Sequence, residues 1–223
     1  LDLASGIRWK YAYLLDPNGL RIQLVEDIRP GDEKPKKSEI QGVVHVGLGV
    51  SDMDRSIAFY SDNLGFDRML FSFTGHMPEM DPVTGSAQEM KTTILERCAP
   101  VSRVASLLRP GIIKLFEVPG RKGAHIFANR RWGDIGCMEF CMDVFDLEGT
   151  INALKRKGIK PYLKPVDVDM GSGSRGKVAY IRDPDKTIIE FVEIETVAWL
   201  STPLFMKIAM PLLKIYDSMT KSP

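Results

Sequence analysis

A stretch near the start of this 223-residue chain recurs near its end without a gap. Arg8–Glu26 lies over Arg175–Glu193, so that Arg8 meets Arg175, Lys10 meets Lys177, Ala12 meets Ala179 and Tyr13 meets Tyr180. Asp16-Pro17 meets Asp183-Pro184, Ile22 meets Ile189 and Glu26 meets Glu193. Each stretch reads as strand, Asp-Pro turn, strand. A gapless match of this length marks one structural element used twice, and it confines the chain to folds built from repeated modules.

Two further matches fill in the module. Val43–Ile57 lies over Cys137–Ile151, pairing Val50 with Val144, Asp52 with Asp146, Asp54 with Glu148 and Ile57 with Ile151. Both read as a strand running into a helix. Ser51 is expected as the N-cap of the first helix, with Asp54 three residues on, and Gly65 near its end. The second helix is expected from about Leu147 to Lys157, closed by Gly158. Ile112-Ile113-Lys114-Leu115 lines up with Ile188-Ile189-Glu190-Phe191 and with Ile22-Gln23-Leu24. Each unit therefore reads strand, helix, three strands.

One complete unit is expected over 40–120 and another over 134–196. Residues 1–30 form a partial unit, strand-turn-strand, which looks like the tail of a unit whose front is missing. The chain starts at Leu1 rather than methionine, so a longer protein with a front part is expected. Residues 31–39, with Pro35, Gly31 and several charges, read as a linker. In the tail, 197–223, Leu200, Leu204, Ile208, Leu212 and Ile215 make a one-sided helix interrupted near Pro203 and Pro211. Docking on the body or on a second subunit is the expectation for it, ahead of contact with a membrane surface.

Charge and cysteine content narrow the class. Thirty basic against 29 acidic residues leave a net charge of +1, which provides no electrostatic footprint for nucleic acid. No apolar run is long enough to span a bilayer. Cys98, Cys137 and Cys141 are odd in number. The last two stand about 13 Å apart at strand rise, too far to bridge, so a reducing, cytoplasmic setting is expected.

Strand alternation sorts the first strand of the middle unit into two faces. Val44, Val46, Leu48 and Val50 are expected to pack on the helix, while His45, Gly47 and Gly49 look into the concavity of the sheet. Glu139 takes the place of His45 in the last unit, and Glu190 sits between Ile189 and Phe191 on its last strand. The run from His45 to Phe66, His-Val-Gly-Leu-Gly-Val-Ser-Asp-Met-Asp-Arg-Ser-Ile-Ala-Phe-Tyr-Ser-Asp-Asn-Leu-Gly-Phe, resembles the opening of a glyoxalase or bleomycin-resistance module. Asp183-Pro-Asp-Lys-Thr-Ile-Ile-Glu-Phe191 resembles its closing hairpin.

The resemblance is to the vicinal-oxygen-chelate superfamily, and it implies an α+β fold. Paired βαβββ modules would form a curved mixed sheet around a cavity, here with a partial N-terminal half-module. It also implies a divalent metal, Mg, Mn, Fe, Ni or Zn, held by His45, Glu139 and Glu190, with Lys114 at the fourth position. Lys114 departs from the pattern because a charged ammonium donates and cannot coordinate. Glu139 departs because histidine is commoner there. Without metal, Lys114, Glu139 and Glu190 would form a charge network beside His45 and could exchange protons with a substrate. Glu117 falls on the opposite face.

The activity implied is a lyase, isomerase or epimerase that removes a proton next to a carbonyl of a small oxygen-rich substrate. Glu139 or Glu190 would be the general base, and the metal or Lys114 would stabilise the oxyanion. A drug-sequestering binding protein and an extradiol-type dioxygenase are the alternatives, and a homodimer is a possible assembly. Elsewhere, His76 and His125 read as surface-loop residues, as do Arg130 and Arg131 beside Trp132. The cysteines read as core or near-surface thiols, with Cys141 on the Glu139 face. The insertion from about Gly75 to Pro100 is expected to carry a helix over Ala87–Arg97 and to form a tolerated excursion, a lid or a substrate wall.

Overall fold

The computed structural model describes residues 1–31, 42–98, 111–171 and 173–196. The linker expected at 31–39, beyond its first residue, and the tail expected at 197–223 lie outside them. The chain order is β1 (Arg8–Leu15), β2 (Arg21–Ile28), β3 (His45–Gly49), α1 (Met53–Leu64), β4 (Arg68–His76), α2 (Asp81–Thr84), β5 (Glu89–Glu96) and β6 (Ile112–Glu117). It continues with β7 (Glu139–Asp143), α3 (Leu147–Arg156), β8 (Leu163–Gly171), β9 (Ser174–Arg182) and β10 (Ile188–Thr196). These strands form a β1-β2 hairpin and two four-stranded sheets of like order, β3-β6-β5-β4 and β7-β10-β9-β8. This is the α+β fold of curved βαβββ modules.

The repeats hold down to single hydrogen bonds. The Asp16 carboxylate accepts from the amides of Asn18 and Leu20, and the Asp183 carboxylate accepts from those of Asp185 and Thr187. Asp52 caps α1 by accepting from Arg55 N at 2.9 Å, and Asp146 caps α3 by accepting from Gly149 N at 2.8 Å. The cap of α1 is thus Asp52 rather than the expected Ser51, whose hydroxyl is taken by Asp185. Glu117 accepts from the first amide of α1, Met53 N, at 2.7 Å, as Glu193 does from Leu147 N at 2.8 Å. Gly65 closes α1 at φ 74, and Gly158 follows α3 at φ 84, backbone that glycine adopts without strain.

The expected helix over Ala87–Arg97 is instead the strand β5, paired on both edges, with β4 and β6. Thr92, Thr93 and Ile94 are β-branched, and ladder bonds on both sides outweigh the helical pattern. The helical turns of the insertion come earlier, at Pro78–Met80 and in α2.

The chain divides into two compact units, Leu1–Phe140 with Arg182–Ile189, and Cys141–Ile181 with Glu190–Pro223. In the first, α1 covers one face of the β3-β6-β5-β4 sheet and buries Met53, Ser56, Tyr60 and Leu64. The hairpin covers the other face. Trp9 is fully buried there in a core with Leu3, Ile7, Leu70, Ile94 and Ile112. Met77, Met80 and Met90 of the insertion close over Tyr11, Tyr13 and Phe116. The turn at 183–187 also belongs to this unit, because the Tyr60 hydroxyl donates to Asp183 at 2.8 Å and Arg55 pairs with Asp185. In the second unit, α3 buries Leu147, Ile151 and Leu154, and Ala179, Ile181 and Phe191 are buried as well.

Candidate functional site

The face of the first sheet that carries His45 is a polar surface under an aromatic roof. β3 and β6 run parallel with His45 opposite Ile112 and Gly47 opposite Lys114. His45 and Lys114 therefore project from one face, one step apart. Antiparallel pairing of β5 and β6 sets Thr92 opposite Phe116 and Ile94 opposite Lys114, which adds Thr92 to this face. The hairpin turns Trp9, Tyr11, Tyr13, Gln23, Val25 and Asp27 toward it, since Trp9 pairs with Asp27, Tyr11 with Val25 and Tyr13 with Gln23.

Each polar group has an identifiable environment. The Trp9 ring stacks on the His45 imidazole at 5.1 Å between centroids. Burial and the Lys114 charge push the His45 pKa down to about 4, so the ring is neutral at pH 7. The Lys114 ammonium reaches the Tyr13 hydroxyl at 3.4 Å and lies 5.0–6.0 Å from the Phe116, Tyr11 and Tyr13 ring centroids. Such contacts stabilise a cation weakly. Lys114 is only 2% exposed and, among the described residues, makes no salt bridge to a carboxylate. Burial pulls its pKa down to about 8, against the attraction of Glu79. Burial also pushes the Tyr13 hydroxyl up to about 12, so it stays protonated as a donor. His45 Nδ1, both amide atoms of Gln23 and the Thr92 hydroxyl are buried with no protein partner. Beside them Trp9, Asp27, Arg29, Glu96 and Arg68 form a chain of polar contacts, in which Arg29 Nη2 and Arg68 Nε are buried without a hydrogen-bond partner.

Of the four residues expected to converge, the structure brings His45 and Lys114 together on the first sheet. Glu139 and Glu190 lie on the neighbouring strands β7 and β10 of the other sheet. There Glu139 accepts from Trp132 Nε1 at 3.3 Å, and Glu190 accepts from the Tyr180 hydroxyl at 3.1 Å. Among the described residues no three His, Cys, Asp or Glu side chains gather into a set that could hold a metal ion. The donor chemistry agrees: beside the orphaned imidazole stands an ammonium, which repels a cation and offers it no lone pair. The residues present do not fit a divalent metal at His45.

Sequence reasoning missed Trp9, Tyr11, Tyr13, Gln23, Thr92 and Glu79. A signal for Gln23 existed, because the repeat lays it on Glu190. Its two neighbours on the site face of β1, Tyr11 and Tyr13, then follow from pairing. Glu79 comes from the insertion, which walls this site: behind the larger effect of burial its charge raises the Tyr11 pKa, and it attracts Lys114. Glu117 is occupied at the start of α1, on the opposite face as expected. His76 and His125 are exposed and held by Asp81 and by the Asp185 carbonyl. All three cysteines are exposed.

The family model described as Glyoxalase/Bleomycin resistance protein/Dioxygenase superfamily matches residues 42–191. No curated protein matches the chain. Among solved structures, a glyoxalase family protein from Bacillus cereus is 17% identical over 72% of this chain and 99% of its own, with a TM-score of 0.51. A glyoxalase family protein from Enterococcus faecalis is 20% identical over 69% of this chain and 98% of its own, with a TM-score of 0.48. At 17% identity the likeness to the Bacillus cereus protein is one of fold. No helix among the described residues is long and apolar enough to cross a membrane.

Proposed function

Because the chain belongs to the Glyoxalase/Bleomycin resistance protein/Dioxygenase superfamily, we propose that it binds a small oxygen-rich molecule through the Lys114 ammonium, without a metal at His45. The supporting observation is Lys114 itself, a buried cation with no carboxylate partner among the described residues. An unpaired buried charge is costly, and a carboxylate or polarised carbonyl of a ligand would offset that cost. The Tyr13 hydroxyl would donate to the same oxygen. The Gln23 amide, Thr92 hydroxyl and His45 Nδ1 would satisfy the rest of the ligand, and Trp9, Tyr11 and Phe116 would wall its apolar part.

Turnover is a second reading, favoured by the pKa of about 8 at Lys114. An ammonium so poised would stabilise an oxyanion formed by proton removal next to a carbonyl, the step of a lyase, isomerase or epimerase. Glu139 and Glu190 remain the proposed general bases for that reading. An iron-dependent dioxygenase is disfavoured by the donor set.

The test is calorimetric titration of the full chain with a panel of small 2-oxo and 2-hydroxy acids. Saturable binding to the wild type that Lys114→Met weakens by about 100-fold or more supports the proposal. Binding unchanged in Lys114→Met overturns it. Proton–deuterium exchange at the α-carbon of a bound ligand, lost in Glu139→Gln or Glu190→Gln, separates turnover from binding alone.

A further inference from the structure

Lysines on the strands of this chain meet two opposite environments. Lys91 and Lys177 have side chains 38% and 28% exposed, held by the Glu117 and Glu195 carboxylates at 2.9 Å and 3.3 Å. Hydrogen bonds to those carboxylates, with their charge, raise both pKa values. An amine paired in this way stays protonated and has no lone pair to offer.

Lys114 is the reverse. It is 2% exposed, and among the described residues it makes no salt bridge to a carboxylate. Its Nζ donates to the Tyr13 hydroxyl at 3.4 Å and otherwise faces the Phe116, Tyr11 and Tyr13 rings. Met77, Met80 and Met90 pack on those same rings. Burial pulls the Lys114 pKa down to about 8, so roughly a tenth of it is free amine at pH 7. A desolvated lysine without an anionic partner is the form in which this side chain acts as a nucleophile.

The neighbouring strand leaves an approach to it. β3 is an edge strand, and its Gly47 stands opposite Lys114. Gly47 and Gly49 share the His45 face and are exposed. Neither has a side chain to screen that flank, which opens a route for a small planar carbonyl compound. Groups able to hold a carboxylate stand on the same face. Thr92 is 1% exposed with its hydroxyl unpartnered, and the Gln23 amide is buried without a partner. Both donate hydrogen bonds and carry no charge, so they can hold an acid without tying the amine into an ion pair.

We propose that Lys114 is a nucleophile that forms an imine with the carbonyl of a small 2-oxo acid, with Tyr13 relaying the protons. The Nζ lone pair attacks the carbonyl carbon, and the C=O π pair moves to the oxygen. That oxygen takes the Tyr13 proton, and the Tyr13 oxygen takes one from the nitrogen. The carbinolamine so formed loses its hydroxyl, with the Tyr13 proton, as water while the nitrogen lone pair closes the C=N bond. The iminium proton then returns to Tyr13. Amine and 2-oxo acid thus give imine and one water, with no change of oxidation state. Protonated, the imine draws electrons from the adjacent carbon and eases proton removal there. The inference rests on the reading of Lys114 as the ligand contact.

The test incubates the full chain with pyruvate and sodium cyanoborohydride near pH 8 and locates the alkylated lysine by peptide mass spectrometry. The hydride reduces the iminium to a stable secondary amine. Lys114 should be modified at least about tenfold faster than Lys91 or Lys177 in the same molecules, a comparison that needs no variant. Tyr13→Phe should slow Lys114 at least about tenfold and leave Lys91 unchanged, with circular dichroism verifying the fold. Lys114 left unmodified, modified no faster than the two paired lysines, or indifferent to Tyr13→Phe overturns the proposal. Lactate, which has no carbonyl, separates this step from the anchor reading. Lys114-dependent binding of lactate, with Lys114 left unmodified by pyruvate, overturns the imine and leaves the anchor standing. Selective modification of Lys114 without calorimetric binding of any acid supports the imine and overturns the non-covalent anchor.

Discussion

His45 shows how much of a residue's chemistry comes from what lies over it. The imidazole is stacked under Trp9 with Nδ1 unpartnered, one step from Lys114 on the next strand. Its pKa falls from 6.5 to about 4, so the folded protein keeps it neutral while the unfolded chain takes up a proton below about 6.5. Its contribution to stability is therefore present above pH 6.5 and is lost as the pH falls toward 4. The loss amounts to about 3 kcal/mol by linkage. Urea unfolding at pH 7.5, 6 and 4.5 should show this decline, and His45→Gln should flatten it. Trp9→Ala removes the roof and should cost about 3–5 kcal/mol in the same assay. Tyr60→Phe strips Asp183 of its hydroxyl partner and should cost about 1–3 kcal/mol.

At the level of elements, local chemistry repeats where the fold repeats. Gly19 and Lys186 occupy one position in the two Asp-Pro turns, at φ 82 and φ 70. Only glycine holds that backbone without strain, so Lys186→Gly should stabilise the protein by up to about 1 kcal/mol, read as a rise in Tm. Asp146→Ala should cost about 1 kcal/mol by leaving the Gly149 amide without its acceptor. The order strand, helix, three strands was legible in the sequence because matched positions carry one instruction twice, and three times in the last strand. The cap of α1 was not, because Ser51 answers to Asp185, 134 residues away. β5 was not legible either, since pairing on both edges is a tertiary fact that a helical spacing of apolar residues does not register.

For the whole molecule, the pairing of partial and complete modules decides what the site contains. Phase arguments put His45 and Lys114 on one face, and the structure agrees. They could not say which surface would lie over that face. The hairpin at 8–28 does so, bringing Tyr13 to the Lys114 ammonium and orphaned Gln23 to the same face. The residues needed were present in the repeat, and the missing information was contact across a sheet face. A site built this way holds a cation of its own. If Lys114 anchors a ligand as proposed, its stability cost is the usual trade between folding and function.

Unfolding of Lys114→Met and wild type at pH 7 and at pH 10.5 tests that account most directly. The amine is pulled from 10.5 down to about 8, so the wild type regains stability as the pH rises through this window and is penalised below it. The unliganded variant should be more stable than wild type at pH 7 by about 3 kcal/mol, with the gap closing by pH 10.5. A variant less stable than wild type at pH 7 would make Lys114 a structural partner and contradict the account.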